Sequence, residues 1–163
     1  MVTDQVSIKQ KAVWAALQTV MDPEIPIVSV CDLGIVRDVD EEEVIITPTY
    51  SGCPATEMIG LDIRMALDKA GFDDVKVRTS TSPPWTTDWI TPKGREKLIE
   101  AGIAPPVQSS GSKQGLFSDK PNIPCPLCQS TNTILVSQFG STACKALYKC
   151  GDCLEPFDYF KCI

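Results

Sequence analysis

Apolar side chains at Val6, Val13, Leu17, Val20 and Met21 recur at three-, four- and seven-residue spacings, with Lys9, Lys11 and Gln18 between them. That period predicts an amphipathic helix over 4–21, capped by Thr3 or Asp4 and ended by Pro23. Short apolar runs follow at 27–30, 34–39 and 44–50. The second and third flank the acidic turn Asp40-Glu41-Glu42 and read as a β-hairpin. Pro54 then stands where a first helical residue belongs, ahead of a helix over 55–70. Met58, Ile59, Ile63, Ala66 and Leu67 mark its buried face, and Gly71 its C-terminal cap. Gly60 inside that helix costs stability, which suggests close packing against a neighbour. Val75 to Thr79 alternates as a final strand. The order of helix, strands, helix, strand predicts a small α+β domain with a mixed sheet.

Beyond it, Ser82 to Trp89 reads as an extended segment. Thr91-Pro92 caps a short helix to Glu100, closed by Gly102. Residues 104–124, with Ser-Ser-Gly-Ser-Lys-Gln-Gly in the middle, have linker composition. The expected organisation is a domain over 1–103, a linker over 104–124 and a separate module over 125–163.

Composition narrows the chemistry. The 163 residues carry a formal net charge of −6, with 43% apolar and 22% charged residues. No global positive field gathers nucleic acid or anionic lipid. No apolar run is long enough for a membrane helix and no signal pattern opens the chain, so the expectation is a cytoplasmic protein. There are eight cysteines and no histidine. Triads and imidazole ligands are therefore excluded, and a transition metal has to be held by thiolates, with or without carboxylates. In a reducing compartment such thiols point to metal or thiol chemistry rather than disulfides.

Cys125-Pro-Leu-Cys128 and Cys150-Gly-Asp-Cys153 are separated by 21 residues. Two such turns joined by a hairpin form a zinc ribbon, in which the metal supplies folding energy that a module of this size lacks. Expected hairpin strands are 134–139 and 145–148. Zinc is the preferred ion, although an iron–sulfur cluster uses the same four sulfurs. Cys144 and Cys162 are either plain buried thiols or exchange ligands. From Lys113 onward, five basic residues face four acidic ones, which offers no phosphate-binding surface. The module therefore suits protein docking. The aromatic run Phe157 to Phe160 is either its hydrophobic contact or its own core.

Cys53, in Ser51-Gly52-Cys53-Pro54, falls at the N-cap of the helix over 55–70. There the unpaired N–H groups and the dipole favour a thiolate. Such a thiolate binds iron or a cluster, acts as a nucleophile, or merely caps. Asp22-Pro23-Glu24 brings two carboxylates into a turn. Cys31 is either a second thiolate facing Cys53 or an ordinary buried residue.

The stretches Asp22-Pro-Glu-Ile-Pro26, Asp32-Leu-Gly-Ile-Val36 and Thr49-Tyr-Ser-Gly-Cys-Pro54 resemble the small iron–sulfur assembly domain shared by SufT and the cytosolic iron–sulfur targeting factors, over roughly residues 6–85. Pro84-Trp-Thr-Thr-Asp-Trp-Ile90, Gly102-Ile-Ala-Pro-Pro106 and the tail from Phe139 to Cys162 resemble the PaaD (PaaJ) family. Its members are accessory subunits of the bacterial phenylacetyl-CoA 1,2-epoxidase. The resemblance implies an assembly-factor domain with a C-terminal zinc ribbon, serving phenylacetate catabolism by maturation rather than turnover. It implies iron or cluster handling at Cys53, with Asp22, Glu24 and Thr49 around it and Cys31 as a further participant. The cargo would be held by one chain or across a homodimer interface. The partners implied are the reductase and the diiron oxygenase subunits. Two other readings stay open: a docking subunit without metal transfer, and an enzyme acting through Cys53, which would lack a histidine base.

Overall fold

A computed structural model of the chain describes residues 7–107 and 122–161. Its contacts divide it into two compact units, Met1–Gly94 and Arg95–Ile163.

In the first unit, helix α1 runs over Ile8–Leu17 and is shorter than the apolar period suggests. Ser7 is its cap, with Oγ accepting from the Gln10 N–H at 3.0 Å; Thr3, Asp4 and Val6 lie outside the described residues. Bonds from Thr19 N–H to the Ala16 carbonyl and from Val20 N–H to the Leu17 carbonyl tighten its end, so Val20 and Met21 leave the helix. The stretch 27–30 is not a ladder strand. Val28 and Val30 are buried, but their backbones bond to the irregular segment 20–22, with a single bridge between Met21 and Ser29. Pro23 and Pro26 remove the donors that a regular ladder would need.

Strands β1 (Val36–Val39) and β2 (Glu43–Ile46) form the expected antiparallel hairpin across Asp40-Glu41-Glu42. The Asp40 carboxylate closes the turn by accepting from the Glu42 and Glu43 N–H groups at 2.7 and 2.6 Å. β2 stops short of Pro48. Helix α2 (Ala55–Lys69) then crosses to β3 (Lys76–Thr79), which pairs parallel with β2. The sheet order β1-β2-β3 is mixed, as expected. At the end of α2, Gly71 has φ +85°, with Gly71 N–H bonded to Asp68 and Phe72 N–H to Leu67. This double closure requires a left-handed residue, which glycine supplies without strain.

Helix α2 buries Ala55, Ile59, Ile63 and Leu67. Met58, expected among them, is 51% exposed, together with Leu61 and Met65 on the outer face. Gly60 has no atom within 4 Å of where a Cβ would stand, so it is not a packing glycine.

The segment after β3 is a strap. Trp85 is buried and its indole N–H donates to the Leu33 carbonyl at 2.9 Å. A short 3₁₀ turn, Thr87–Trp89, brings Trp89 over Gly34, and Arg37 covers the indole at 3.4 Å. Helix α3 (Pro92–Glu100) begins with Thr91 Oγ1 accepting from the Gly94 N–H at 3.0 Å.

The second unit holds a four-stranded sheet in the order β4-β7-β6-β5. Strands β5 (Thr133–Ser137) and β6 (Lys145–Cys150) are the expected hairpin. The aromatic tail is strand β7 (Pro156–Phe160), antiparallel to β6. Phe157 and Phe160 are 4% and 1% exposed, and Tyr148 stacks on Phe157 at 5.8 Å and meets Tyr159 edge-on at 5.6 Å. The tail is therefore core rather than docking surface. Strand β4 (Ile103–Ala104) pairs parallel with β7. Ala104 and Ile123 are buried with the ribbon's apolar cluster, so the described ends of the 104–124 stretch pack instead of linking. Its middle, 108–121, lies outside the described residues. Two residues of strand beside Pro105-Pro106 carry no period that a sequence pattern could register.

Candidate metal centre and thiol sites

The two Cys-x-x-Cys turns sit at the start of the ribbon and at the β6 end, and the strands bring them together. The sulfurs of Cys125, Cys128, Cys150 and Cys153 all lie within 4.8 Å of one another. Cys125 and Cys153 approach to 3.8 Å, and Cys128 and Cys150 to 3.5 Å. A tetrahedral ion with metal–sulfur bonds of about 2.3 Å sets its thiolates about 3.8 Å apart. The cage therefore suits one ion. A multi-iron cluster distributes its cysteines around several metal atoms and spreads them farther.

The two turns repeat one backbone design. Cys125 N–H donates to the Ser130 carbonyl at 2.9 Å, and Cys150 N–H to the Glu155 carbonyl at 3.0 Å. The residue after the second cysteine is left-handed in both: Gln129 at φ 63° and Leu154 at φ 66°. A side chain in that region costs about 1–2 kcal/mol, so the ligand geometry is held against local preference. The turns are also tied to each other. The Asp152 carboxylate accepts from the Ser130 hydroxyl and from Asn132 Nδ2, the latter at 2.8 Å. Gly151 N–H donates to the Asn132 carbonyl at 2.7 Å, and a Cβ on Gly151 would stand 2.5 Å from Asn132 Nδ2.

Thiol electrostatics fit a cation. The Cys153 backbone N–H, followed by that of Asp152, outweighs burial and draws Cys150 down to about 6. Cys153 accepts the Glu155 N–H, yet burial and its three neighbouring thiols push it up to about 12. Four sulfurs this close cannot all ionise unaided, and a divalent ion among them is what permits it. Cys128 is exposed, which leaves an approach from solvent. Cys144 is not in the cage. It is 4% exposed, with Thr142 Oγ1 3.1 Å from its sulfur, which is the plain buried-thiol reading. Cys162 lies outside the described residues.

In the other unit, Cys53 is half-buried just ahead of α2. Pro54 already has helical angles, φ −66° and ψ −22°, and the Cys53 carbonyl accepts from the Thr56 N–H at 3.2 Å. Cys53 therefore occupies the cap position. Gly52 has φ +77° with open space around it, so it serves the turn and not a close approach. Asp22 is buried at 7% exposure, and Oδ1 accepts from the Glu24 and Ile25 N–H groups at 2.9 and 2.8 Å. That is a turn-closing role. Glu24 and Thr49 are half-buried. Burial first, and the Asp32 carboxylate second, push the Cys31 thiol up to about 12, so it is neutral near pH 7. Among the described residues, Asp22, Glu24, Cys31 and Cys53 do not form a group of three or more ligands within metal reach; the four ribbon cysteines do.

Sequence reasoning missed the Ser130–Asn132–Asp152 brace, whose only signal was polar residues shortly after the first cysteine pair and one inside the second. It also missed the strap on the Asp32-Leu33-Gly34 turn. There, a Cβ on Gly34 would meet the Trp89 carbonyl at 2.4 Å, and one on Gly94 the Asp32 carbonyl at 2.7 Å.

Residues 109–161 match the family described as the PaaD zinc beta ribbon domain, and residues 10–78 the family described as iron–sulfur cluster assembly protein. The chain is 52% identical over 155 residues to a putative 1,2-phenylacetyl-CoA epoxidase subunit of Escherichia coli K12, covering 93% of this chain and 92% of that protein. It is 37% identical over 93 residues to an Fe–S protein maturation auxiliary factor of Porphyromonas gingivalis, 53% of this chain and 85% of that one. A crystal structure of a domain of unknown function, DUF59, from Bacillus anthracis superposes with a TM-score of 0.50 at 28% identity, over 55% of this chain and 90% of that one.

Proposed function

We propose a function from one premise: the chain belongs to the PaaD family, that of the putative 1,2-phenylacetyl-CoA epoxidase subunit of Escherichia coli. It is an accessory subunit of phenylacetate catabolism, not itself an enzyme. It assists the insertion of iron or an iron–sulfur cluster into the reductase or the diiron oxygenase of the epoxidase. Cys53 receives the cargo and the ribbon recognises the client complex.

The observation that carries this reading is the contrast between the two thiol sites. The ribbon cage gathers all four sulfurs within 4.8 Å of one another, the spacing one ion needs, and braces its turns with backbone and Asp152. Such a site would hold zinc through Cys125, Cys128, Cys150 and Cys153, where the ion supplies folding energy and keeps no open position for chemistry. A carrier has to release what it binds. In the unit that matches the assembly family, the half-buried Cys53 at the head of α2 has few further ligands, and this suits release.

A second reading, a docking subunit without metal transfer, draws support from the N-terminal unit. Asp22 is engaged in a turn and Cys31 is a neutral thiol, so neither offers an obvious second ligand. One experiment separates the two. Co-expression of the epoxidase components with Cys53→Ser should give a folded accessory protein but a reductase or oxygenase depleted in iron. Fully loaded, active epoxidase from that strain would rule out the carrier role and leave docking.

A further inference from the structure

Helix α2 is apolar on two opposite faces, and the fold uses only one. Ala55, Ile59, Ile63 and Leu67 pack inward. On the far side, Met58, Leu61 and Met65 are 51%, 60% and 61% exposed. Single exposed apolar residues are ordinary. Three at i, i+3 and i+7 form a continuous stripe along a helix, the pattern by which helices meet partners.

Resting on the carrier reading above, we infer that the Met58–Leu61–Met65 stripe is a second contact, beside the ribbon's recognition of the complex, on which the client protein seats to take the cargo of Cys53, through an apolar surface flanked by basic side chains. Three features select that occupant. The first is position. Met58 is five residues beyond Cys53, about 7.5 Å along the helix axis, so a client seated on the stripe has its own ligands beside the thiol. The second is area. Three half-exposed side chains offer roughly 200–300 Å² of apolar surface. A lasting interface buries about 800 Å² per partner, so the stripe cannot by itself hold two copies of this chain together, yet it suits a contact that must be broken after delivery.

The third feature is charge. Glu57 and Asp62 stand beside the stripe with no ion-pair partner among the described residues. Arg64 is turned away: it pairs with Asp68 at 2.7 Å and donates to the Phe72 carbonyl at 2.7 Å. A symmetric contact between two copies, each at net −6, would set these carboxylates against their equivalents. A basic partner is attracted instead. The two methionines add tolerance, since their flexible thioethers adapt to more than one apolar surface and the carrier reading includes two clients.

The test measures binding of the purified full chain to the purified reductase and, separately, to the purified oxygenase. Leu61→Asp and, as a second variant, Met65→Lys change only exposed side chains and should keep wild-type circular dichroism and melting temperature. Leu61→Asp should weaken binding to at least one client by tenfold or more. Asp62→Lys should weaken it more at low salt than at high salt. A photo-crosslinking side chain at position 58 should join the chain to that client. Unchanged affinity in both Leu61→Asp and Met65→Lys, or crosslinking only to a second copy, overturns the inference. Its failure is distinct from failure of the carrier reading. If Leu61→Asp binds and delivers normally while Cys53→Ser does not deliver, the docking face is wrong and the carrier stands. If Cys53→Ser delivers normally while Leu61→Asp fails to bind, the stripe docks a client but the thiol carries nothing.

Discussion

Gly34→Ala should destabilise the N-terminal unit by about 3 kcal/mol while leaving the ribbon untouched. Gly34 sits at φ +69°, where an alanine costs about 1–2 kcal/mol of backbone strain. Its Cβ would lie 2.4 Å from the Trp89 carbonyl oxygen and 2.7 Å from the Trp89 Cβ. The first of these is backbone, so no rotamer change can relieve the clash, and the strap has to lift. Lifting it breaks the buried bond from the Trp85 indole to the Leu33 carbonyl, a further 1–1.5 kcal/mol or so. It also uncovers the packing of Trp85, which is 5% exposed. Against these terms, alanine narrows the unfolded ensemble and returns up to about 1 kcal/mol.

The assay isolates the unit. All three tryptophans, Trp14, Trp85 and Trp89, lie before residue 95, so their fluorescence in urea follows that unit alone. With a slope of roughly 1.5 kcal/mol per M, a 3 kcal/mol loss lowers the midpoint by about 2 M. Gly60→Ala is the matched control. It replaces a helical glycine with open space around it, so the midpoint should rise by the equivalent of about 0.5–1 kcal/mol. A Gly34→Ala midpoint within about 0.3 M of wild type would refute the reasoning, because the strap would then be free to move without cost.

The ribbon should behave as a separate, metal-dependent unit. Cys150→Ser, or prolonged chelation through exposed Cys128, should abolish the near-ultraviolet signal of Tyr148 and Tyr159 while tryptophan fluorescence keeps its native maximum; loss of both signals together would deny that independence. Cys31 makes stability depend on alkaline pH. Its thiol is raised from 9.0 to about 12 in the fold, so its contribution is complete below pH 9 and falls away as pH rises toward 12. In urea melts across that window, Cys31→Ala should lose less stability than wild type, and parallel curves would show that Cys31 titrates as an unfolded thiol does.

Much of the fold is legible in the sequence because its signals are local. The Asp40-Glu41-Glu42 turn, Pro54 opening α2, Gly71 closing it and the Thr91 cap each declare themselves within a few residues. The four ribbon cysteines are legible for the same reason, since each pair encodes half of its site. What stays hidden depends on contacts between distant segments. Strand β4 is two residues long and exists only because β7 lies beside it. The stretch 27–30 alternates like a strand, yet its neighbour is an irregular turn and not a ladder. Gly60 and Gly34 look alike in sequence. One faces open space and the other the Trp89 backbone, and no local pattern distinguishes them. The spacing of Met58 fits a buried helix face, but α2 carries two apolar faces and Met58 belongs to the outer one.

That doubled face bears on how the two units divide their labour. A site that binds metal for structure gains from closure: more ligands, shared N–H groups and a brace such as Asp152 all slow release. A site that passes cargo gains from the reverse. Cys53 stands at a helix start behind the left-handed Gly52 turn, with no group of carboxylates and thiols close enough to complete a cage among the described residues. Weak retention alone would scatter iron into solvent, so release has to be coupled to contact with the acceptor. An adhesive surface on the same helix provides that coupling in principle, because binding the client and approaching the thiol become one event. The ribbon cannot do this from its own cage, where all four sulfurs already face one another within 4.8 Å. On the proposed reading, α2 would join the thiol that receives the cargo to the exposed Met58–Leu61–Met65 stripe that meets its recipient.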